Sequence, residues 1–186
     1  MSEPIRFADL ARSPWPNGAG RKADIAAGPM GDDGKPEWPL AFAWLDQDAP
    51  FSDYSGHART ITLVSGVAFI LQFEPPNPAL VVDAPFRPQP FEGGIPTVCR
   101  LPAGPCLVLN AMSRHGRFRH DVAITSTRTP LPPARGERFA VVLRGRCAVD
   151  GRMLDPRDAV HLPGATRIAA ASEALLAVVT FLPDAA

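Results

Sequence analysis

The sequence predicts an all-β protein built from short strands in barrel- or sandwich-like modules. Three observations carry that prediction. The 186-residue chain holds 22 prolines and 15 glycines. Proline inside a helix removes a backbone donor and clashes with the preceding turn, so a helical bundle and a coiled coil are excluded. No segment shows three clean turns of helical period, whereas β-branched and apolar runs recur between turn signals. A weak internal repeat sets Leu63-Val64-Ser65-Gly66-Val67-Ala68-Phe69-Ile70 beside Val142-Leu143-Arg144-Gly145-Arg146-Cys147-Ala148-Val149. Two related β modules would produce it; the alternative is coincidence between ordinary hairpins.

The elements follow in order. Residues 1–20 read as a short strand or extended arm that runs into a loop. Two prolines and two glycines within Ser13-Pro14-Trp15-Pro16-Asn17-Gly18-Ala19-Gly20 force that loop. A strand resumes at 22–27, residues 28–36 are turn-rich and exposed, and 40–45 form a short apolar strand. Residues 46–57 are loop. Thr60-Ile61-Thr62-Leu63-Val64 is β-branched; with Ser65-Gly66 as a turn and 67–73 as a second strand, it reads as a hairpin. Residues 80–82 are a further strand. Residues 85–96 carry four prolines and read as largely loop. Strands follow at 106–109 and 122–125. Thr129-Pro130-Leu131-Pro132-Pro133 is the best linker, stiffened toward polyproline II. Beyond it come strands at 139–143 and 146–149. Asp150-Gly151 is a type I′ turn, since both residues tolerate positive φ. Strands at 152–154, 158–162 and 175–182 complete the chain. Short strands so spaced suit a barrel or sandwich, where closure protects edges.

Composition bounds the function. One domain or two small fused ones fit this length, and such a chain buries roughly 70% of its unfolded surface. Nineteen Lys+Arg balance nineteen Asp+Glu. Binding to nucleic acid in general needs excess positive charge, so it is not expected. Cys99, Cys106 and Cys147 form an odd set without CxxC spacing, which argues against a disulfide scaffold and a Cys-rich zinc site. They read as small apolar side chains in a reducing compartment. No signal-peptide core and no run of 18 apolar residues is present, so a cytoplasmic protein with no membrane partner is expected.

Chemistry-bearing motifs are sparse. His57, His115, His120 and His161 contain no His-x-His pair, and no metal or other cofactor is expected. No Gly-x-Ser-x-Gly and no P-loop occurs, and the cysteines lie in or near apolar strands, where a thiol is inert. Asp32-Asp33 sits in an exposed Gly-rich stretch and reads as solvated. What remains is a set of polar residues where strands meet loops: Trp15, Asn17, Arg59, Asn110 and Arg114. Arginine matches a carboxylate with a bidentate fork, asparagine offers donor and acceptor, and tryptophan supplies an apolar wall. Together they would make a pocket for a small anionic metabolite. Taken singly, Asn17 is a turn residue before Gly18, Asn110 caps a strand end, and Arg59 and Arg114 are surface charges.

Four ordered motifs then resemble the HutD/Ves family. Pro14-Trp15-Pro16-Asn17-Gly18-Ala19-Gly20 is similar to its Pro-Trp-Lys-Asn-Gly-Gly-Gly opening. Asp48-Ala49-Pro50-Phe51-Ser52-Asp53-Tyr54-Ser55-Gly56-His57-Ala58-Arg59 resembles its Gly-Pro-Phe-Ser-x-Phe-Pro-Gly-x-x-Arg segment. Residues 86–93 resemble its Pro-x-x-Phe-x-Gly stretch. Gly104-Pro105 with Asn110-Ala111-Met112-Ser113-Arg114 resembles its Gly-Pro…Asn-x-Met-x-Arg motif. The last third matches only in β pattern.

The resemblance implies a bicupin: two cupin or jelly-roll barrel modules packed as one unit over 1–186, with approximate modules 1–128 and 134–186. It implies a histidine-utilisation accessory or sensing role, and a ligand of the formylglutamate or formiminoglutamate type. Trp15, Asn17, Gly18, Arg59, Asn110 and Arg114 would bind it. The chain departs from the family where Lys22-Ala23-Asp24 replaces Thr-Arg-Glu and Trp38-Pro39 replaces Trp-Arg. Arg21 and Lys22 are the candidates to compensate. No catalytic residue is expected. A metal-free cupin-type isomerase or hydrolase using His57 or His115 as base, and a β-rich interaction protein with a remnant pocket, are the alternatives. The expected assembly, if the chain associates, is a homodimer.

Overall fold

Alternating burial within short extended runs builds this chain almost wholly from strands. The computed structural model describes residues 3–15, 18–127, 136–164, 168–169 and 173–184. The 129–133 linker and Asn17 lie outside them. β1 (Pro4–Ile5) and a 3-10 turn at Phe7–Asp9 come first. Then follow β2 (Ser13–Pro14), β3 (Gly20–Ala27), β4 (Pro39–Leu45), β5 (Ala49–Pro50), β6 (His57–Ser65), β7 (Phe69–Phe73), β8 (Leu80–Val82), β9 (Gln89–Glu92), β10 (Thr97–Arg100) and β11 (Cys106–Arg114). The rest are β12 (Phe118–Ser126), β13 (Glu137–Arg144), β14 (Cys147–Val149), β15 (Arg152–Leu154), β16 (Ala159–His161), β17 (Ile168–Ala169) and β18 (Leu175–Pro183). No helix among the described residues is long and apolar enough to cross a membrane.

Two compact units are formed: residues 11–117, and residues 1–10 with 118–186. The division differs from the expected 1–128 and 134–186. The reason is β12, which pairs with β18 along nine positions from Phe118↔Pro183 to Ser126↔Leu175. In the 11–117 unit one sheet runs β2-β3-β4-β11-β6-β9 and the other β5-β10-β7-β8. One core joins them: Leu45, Ile61, Leu63 and Val108 meet Phe69, Leu71, Val82 and Cys99. In the other unit the sheets run β1-β16-β13-β18-β12 and β15-β14-β17, around Ala140, Val142, Val149, Leu154, Leu176 and Val178.

The two units repeat one topology. The order β4-β11-β6-β9 corresponds to β12-β18-β13-β16, and β10-β7-β8 to β17-β14-β15. Both copies carry a register shift at the same place, between Leu107/Val108 and between Val142/Arg144. The short sequence repeat at 63–70 and 142–149 therefore marks a duplicated seven-strand module.

Its geometry corrects one expectation. Residues 60–64 and 67–73 do not form a hairpin: β6 pairs with β11 and β9, whereas β7 pairs with β10 and β8. Both edges of β6 are already occupied, so the chain crosses to the second sheet at Ser65-Gly66. Gly66 makes the corner at φ +108°, where an added Cβ would stand 2.6 Å from Cys106 Sγ and 2.9 Å from Pro105 O. Gly145 makes the counterpart corner at φ +77°. Gly66→Ala is expected to destabilise the protein by about 2 kcal/mol or more, read as a lower urea midpoint with an unchanged slope.

Other elements agree or extend. Asp150 and Gly151 have φ of 48° and 83°, and the turn joins β14 to β15 as a hairpin. The 85–96 stretch contains β9, which places Pro90 on a sheet edge, where a missing donor is tolerated. All three cysteines are free and buried. Burial pushes the Cys99 thiol up to about 12, so it stays protonated and unreactive at neutral pH.

Candidate functional site

The site is made by the inward face of the large sheet in the 11–117 unit. Side chains alternate along a strand, so Pro39, Ala41, Ala43 and Leu45 of β4 share one face. Register places Ala43 beside Val108 and Ala41 beside Asn110; Asn110 in turn lies beside Ile61, and Met112 beside Arg59. At one end of this face Leu45, Leu63 and Val108 fill the interior. Toward the other end β4 offers only alanine and proline, and β6 and β11 offer Arg59 and Asn110. A cavity of about 530 Å³ results, within the range of small-molecule sites.

Trp15, Arg59 and Asn110 all line it. Trp15 packs edge-on against Phe51, with ring centroids 5.9 Å apart. Gly18 turns at φ +69° and donates its N–H to the Trp15 carbonyl at 2.9 Å, holding the loop that carries the indole. Gly18 does not line the cavity. Nor does Arg114: its Nη2 lies 2.5 Å from Asp33 Oδ1 and its Nε 3.0 Å from Glu37 Oε2. The guanidinium depresses the Asp33 carboxyl to about 2, so this contact is present above the ordinary carboxylate range and is lost only as pH falls through about 2.

Arg59 is the unusual group. It is only 6% exposed, yet among the described residues no carboxylate pairs with it. Its Nε has no hydrogen-bond partner, and neither does Asn110 Oδ1. Three aromatic rings surround the guanidinium instead: Phe91 at 4.9 Å, Phe51 at 5.1 Å and Tyr54 at 5.5 Å from Cζ to centroid. Burial pulls its pKa down to about 10, partly offset by Tyr54, and it remains a cation at neutral pH. A buried charge facing open space, with an unmet amide oxygen beside it, is a costly arrangement unless a ligand completes it.

The cavity wall adds Lys22 and Lys35 as cations and Asp24 as a carboxylate. Lys22 Nζ sits 2.9 Å from Asp24 Oδ2. Of the two basic residues considered as compensation, Lys22 thus faces the cavity, whereas Arg21 pairs with Asp46 at 3.1 Å. Ala23 is buried on the opposite face of β3, and Pro39 lines the cavity. Lys35 and Tyr54 were not singled out in the sequence. Tyr54 lies inside a motif that was, but Lys35 sits in a polar turn with no local signal.

The histidines lie elsewhere. His57 is wholly buried, its ring nitrogens facing the carbonyls of Pro36 at 3.1 Å and Ser55 at 3.4 Å. His115 is exposed and pairs with Glu92 at 2.8 Å. Neither lines the cavity, so neither is placed as a base for a ligand there. Among the described residues no group of three His, Cys, Asp or Glu side chains is placed to hold a metal. In the other unit the counterpart of Asn110 is Val178, part of the apolar core, and the counterpart of Arg59 is Arg138.

The family model described as HutD matches residues 7–178. An uncharacterized 21.2 kDa protein in the hutC 3′ region of Pseudomonas putida is 30% identical over 118 residues. That match spans 62% of this chain and 60% of the relative. The structure of HutD from Pseudomonas fluorescens SBW25 superposes with a TM-score of 0.83 at 18% identity, covering 100% of both chains. A cupin 2 conserved barrel domain protein from Leptotrichia buccalis gives a TM-score of 0.59 at 13% identity, covering 96% of this chain and 95% of that one. The fold is therefore cupin-like.

Proposed function

We propose a binding function on a premise the family match establishes: this chain belongs to the HutD family. It takes a small acidic metabolite into the Arg59 cavity and acts on it by no chemistry of its own. The observation that carries this reading is the buried Arg59 guanidinium, with which no carboxylate among the described residues pairs, beside an Asn110 amide oxygen that has no hydrogen-bond partner among them. A carboxylate would satisfy the arginine fork, and an N–H or O–H on the same molecule would satisfy Asn110. A formylglutamate- or formiminoglutamate-like acid carries both groups. The biological role that fits is sensing or an accessory task in histidine or amino-acid catabolism. The enzymatic alternative lacks support, since His57 and His115 stand outside the cavity.

Native mass spectrometry of the purified protein, with a thermal-shift screen of small carboxylates, tests the reading. A ligand at a hundredfold its Kd stabilises by about 2.7 kcal/mol, which at this size raises Tm by about 5–10 °C. The amide of the same acid should give no shift. A screen in which neutral amides and their acids perform alike would sink the anion reading.

A further inference from the structure

We propose that Arg114 is a positioning residue that holds the 29–36 segment as a strap and thereby fixes Lys35 at the rim of the Arg59 cavity. Lys35, which unlike Lys22 is in no salt bridge among the described residues, is then the cation a bound acid meets beside Arg59. The inference rests on the anion-binding reading above.

The strap is built to be held. Met30 bridges Pro36, the Gly31 N–H donates to the Lys35 carbonyl at 2.8 Å, and the Glu37 N–H donates to the Pro29 carbonyl at 2.8 Å. Met30 and Gly34 are exposed, yet Met30, Gly34, Lys35 and Pro36 all line the cavity. One side of the cavity is therefore closed by a turn with little buried surface of its own, the kind of element that opens locally unless it is tied down.

Arg114 ties it at two points. Its guanidinium bridges Asp33 within the turn, at 2.5 Å, and Glu37 at the turn's base, at 3.0 Å. The Arg114 backbone N–H donates to the Glu37 carbonyl at 2.8 Å. Arg114 itself is anchored at the end of β11, whose preceding residues Met112 and Asn110 face the cavity. Gly31 makes room for the arrangement, because an added Cβ would stand 2.9 Å from Arg114 Nη2. With the strap so held, Lys35 Nζ donates to the Asp53 carbonyl at 2.8 Å and lies 5.2 Å from the Tyr54 ring, the same ring that Arg59 approaches at 5.5 Å. One aromatic side chain thus carries both cations.

The test is a double-mutant cycle with two readouts, amide exchange of ligand-free protein and affinity for N-formylglutamate as probe. Arg114→Gln should speed exchange of the Gly31 and Glu37 amides about tenfold or more and weaken the probe about three- to fivefold, the scale of a partly exposed charge contact. In a Lys35→Ala background the same substitution should change probe affinity by less than about twofold. Arg114→Lys should restore part of the affinity. If Arg114→Gln does not fold, Asp33→Asn severs the shorter contact from an exposed position and should have the same two effects. Unchanged exchange overturns the proposal, as does an Arg114→Gln loss that persists in full without Lys35. A wild-type protein that binds no carboxylate overturns the anion reading instead. The exchange experiment, which uses no ligand, separates the two failures.

Discussion

Arg59→Met is expected to weaken binding of a small carboxylate ten- to hundredfold while raising the melting temperature. The binding loss follows from removing a charge-assisted hydrogen bond, about 1.5–3 kcal/mol. The gain in stability follows from the group's surroundings. Arg59 is buried without a carboxylate partner among the described residues, and its pKa is pulled down to about 10. The sign is that of a group whose charged form folding disfavours: at neutral pH the protonated guanidinium costs stability, on the order of a few kcal/mol. The contacts to Phe51, Tyr54 and Phe91 offset part of this, each on the scale of ~0.5–2 kcal/mol. Methionine keeps most of the packing and removes the charge. A net gain of about 1 kcal/mol would raise Tm by about 2–4 °C at this chain length. Calorimetry of binding and of unfolding on the same two proteins reads both effects. A lower Tm with affinity unchanged would make Arg59 a structural residue and end the ligand assignment.

How much of this was legible in the sequence depends on how local each feature is. Asp150-Gly151 needs only its own two residues to turn, and it turns as expected. Arg59 and Asn110 read as residues at strand ends, whereas they stand inside β6 and β11; their shared face comes from the pairing of those two strands, which no local signal announces. Residues 60–73 read as a hairpin because Ser65-Gly66 has the chemistry of a tight turn. Whether such a glycine reverses the chain or carries it to another sheet depends on β9 and β11, which arrive 20 or more residues later. The boundary between the units falls at 117/118 for the same reason: β12 is assigned by its pairing with β18 rather than by the proline-rich stretch that follows it in the sequence. Arg114 stands in a family-like motif and reads as a ligand contact. Its partners Asp33 and Glu37 lie 81 and 77 positions away in a stretch that reads as a solvated turn. Lys35 carried no signal at all, because its place at the cavity is created by those same contacts.

The shape of the cavity gives the remaining test, and it is independent of charge. Ala41→Leu is expected to abolish ligand binding, by about a hundredfold or more, without unfolding the protein. Ala41 is buried on β4, flanked in register by Asp24 of β3 and by Asn110 of β11. Cβ atoms so paired stand about 4.5–5.5 Å apart, so a leucine there projects between the two polar side chains into the space they enclose. The ligand then loses its approach to Asn110 and the room beside Arg59. The protein loses nothing comparable, because the added carbons enter a void rather than a filled core, and filling a cavity is commonly neutral or stabilising. The same substitution one step further in is different: Ala43 also borders the cavity, but it belongs to the apolar cluster with Leu45, Leu63 and Val108, whose side chains already fill the space around it. Ala43→Leu should therefore overpack and lower stability by about 1–3 kcal/mol. The pair separates two accounts of why β4 carries alanines. If β4 is small only to let the sheets approach, both substitutions destabilise alike and Ala41→Leu melts low. If β4 is small to leave a ligand site, Ala41→Leu keeps its melting temperature and loses the thermal shift that carboxylates give the wild type.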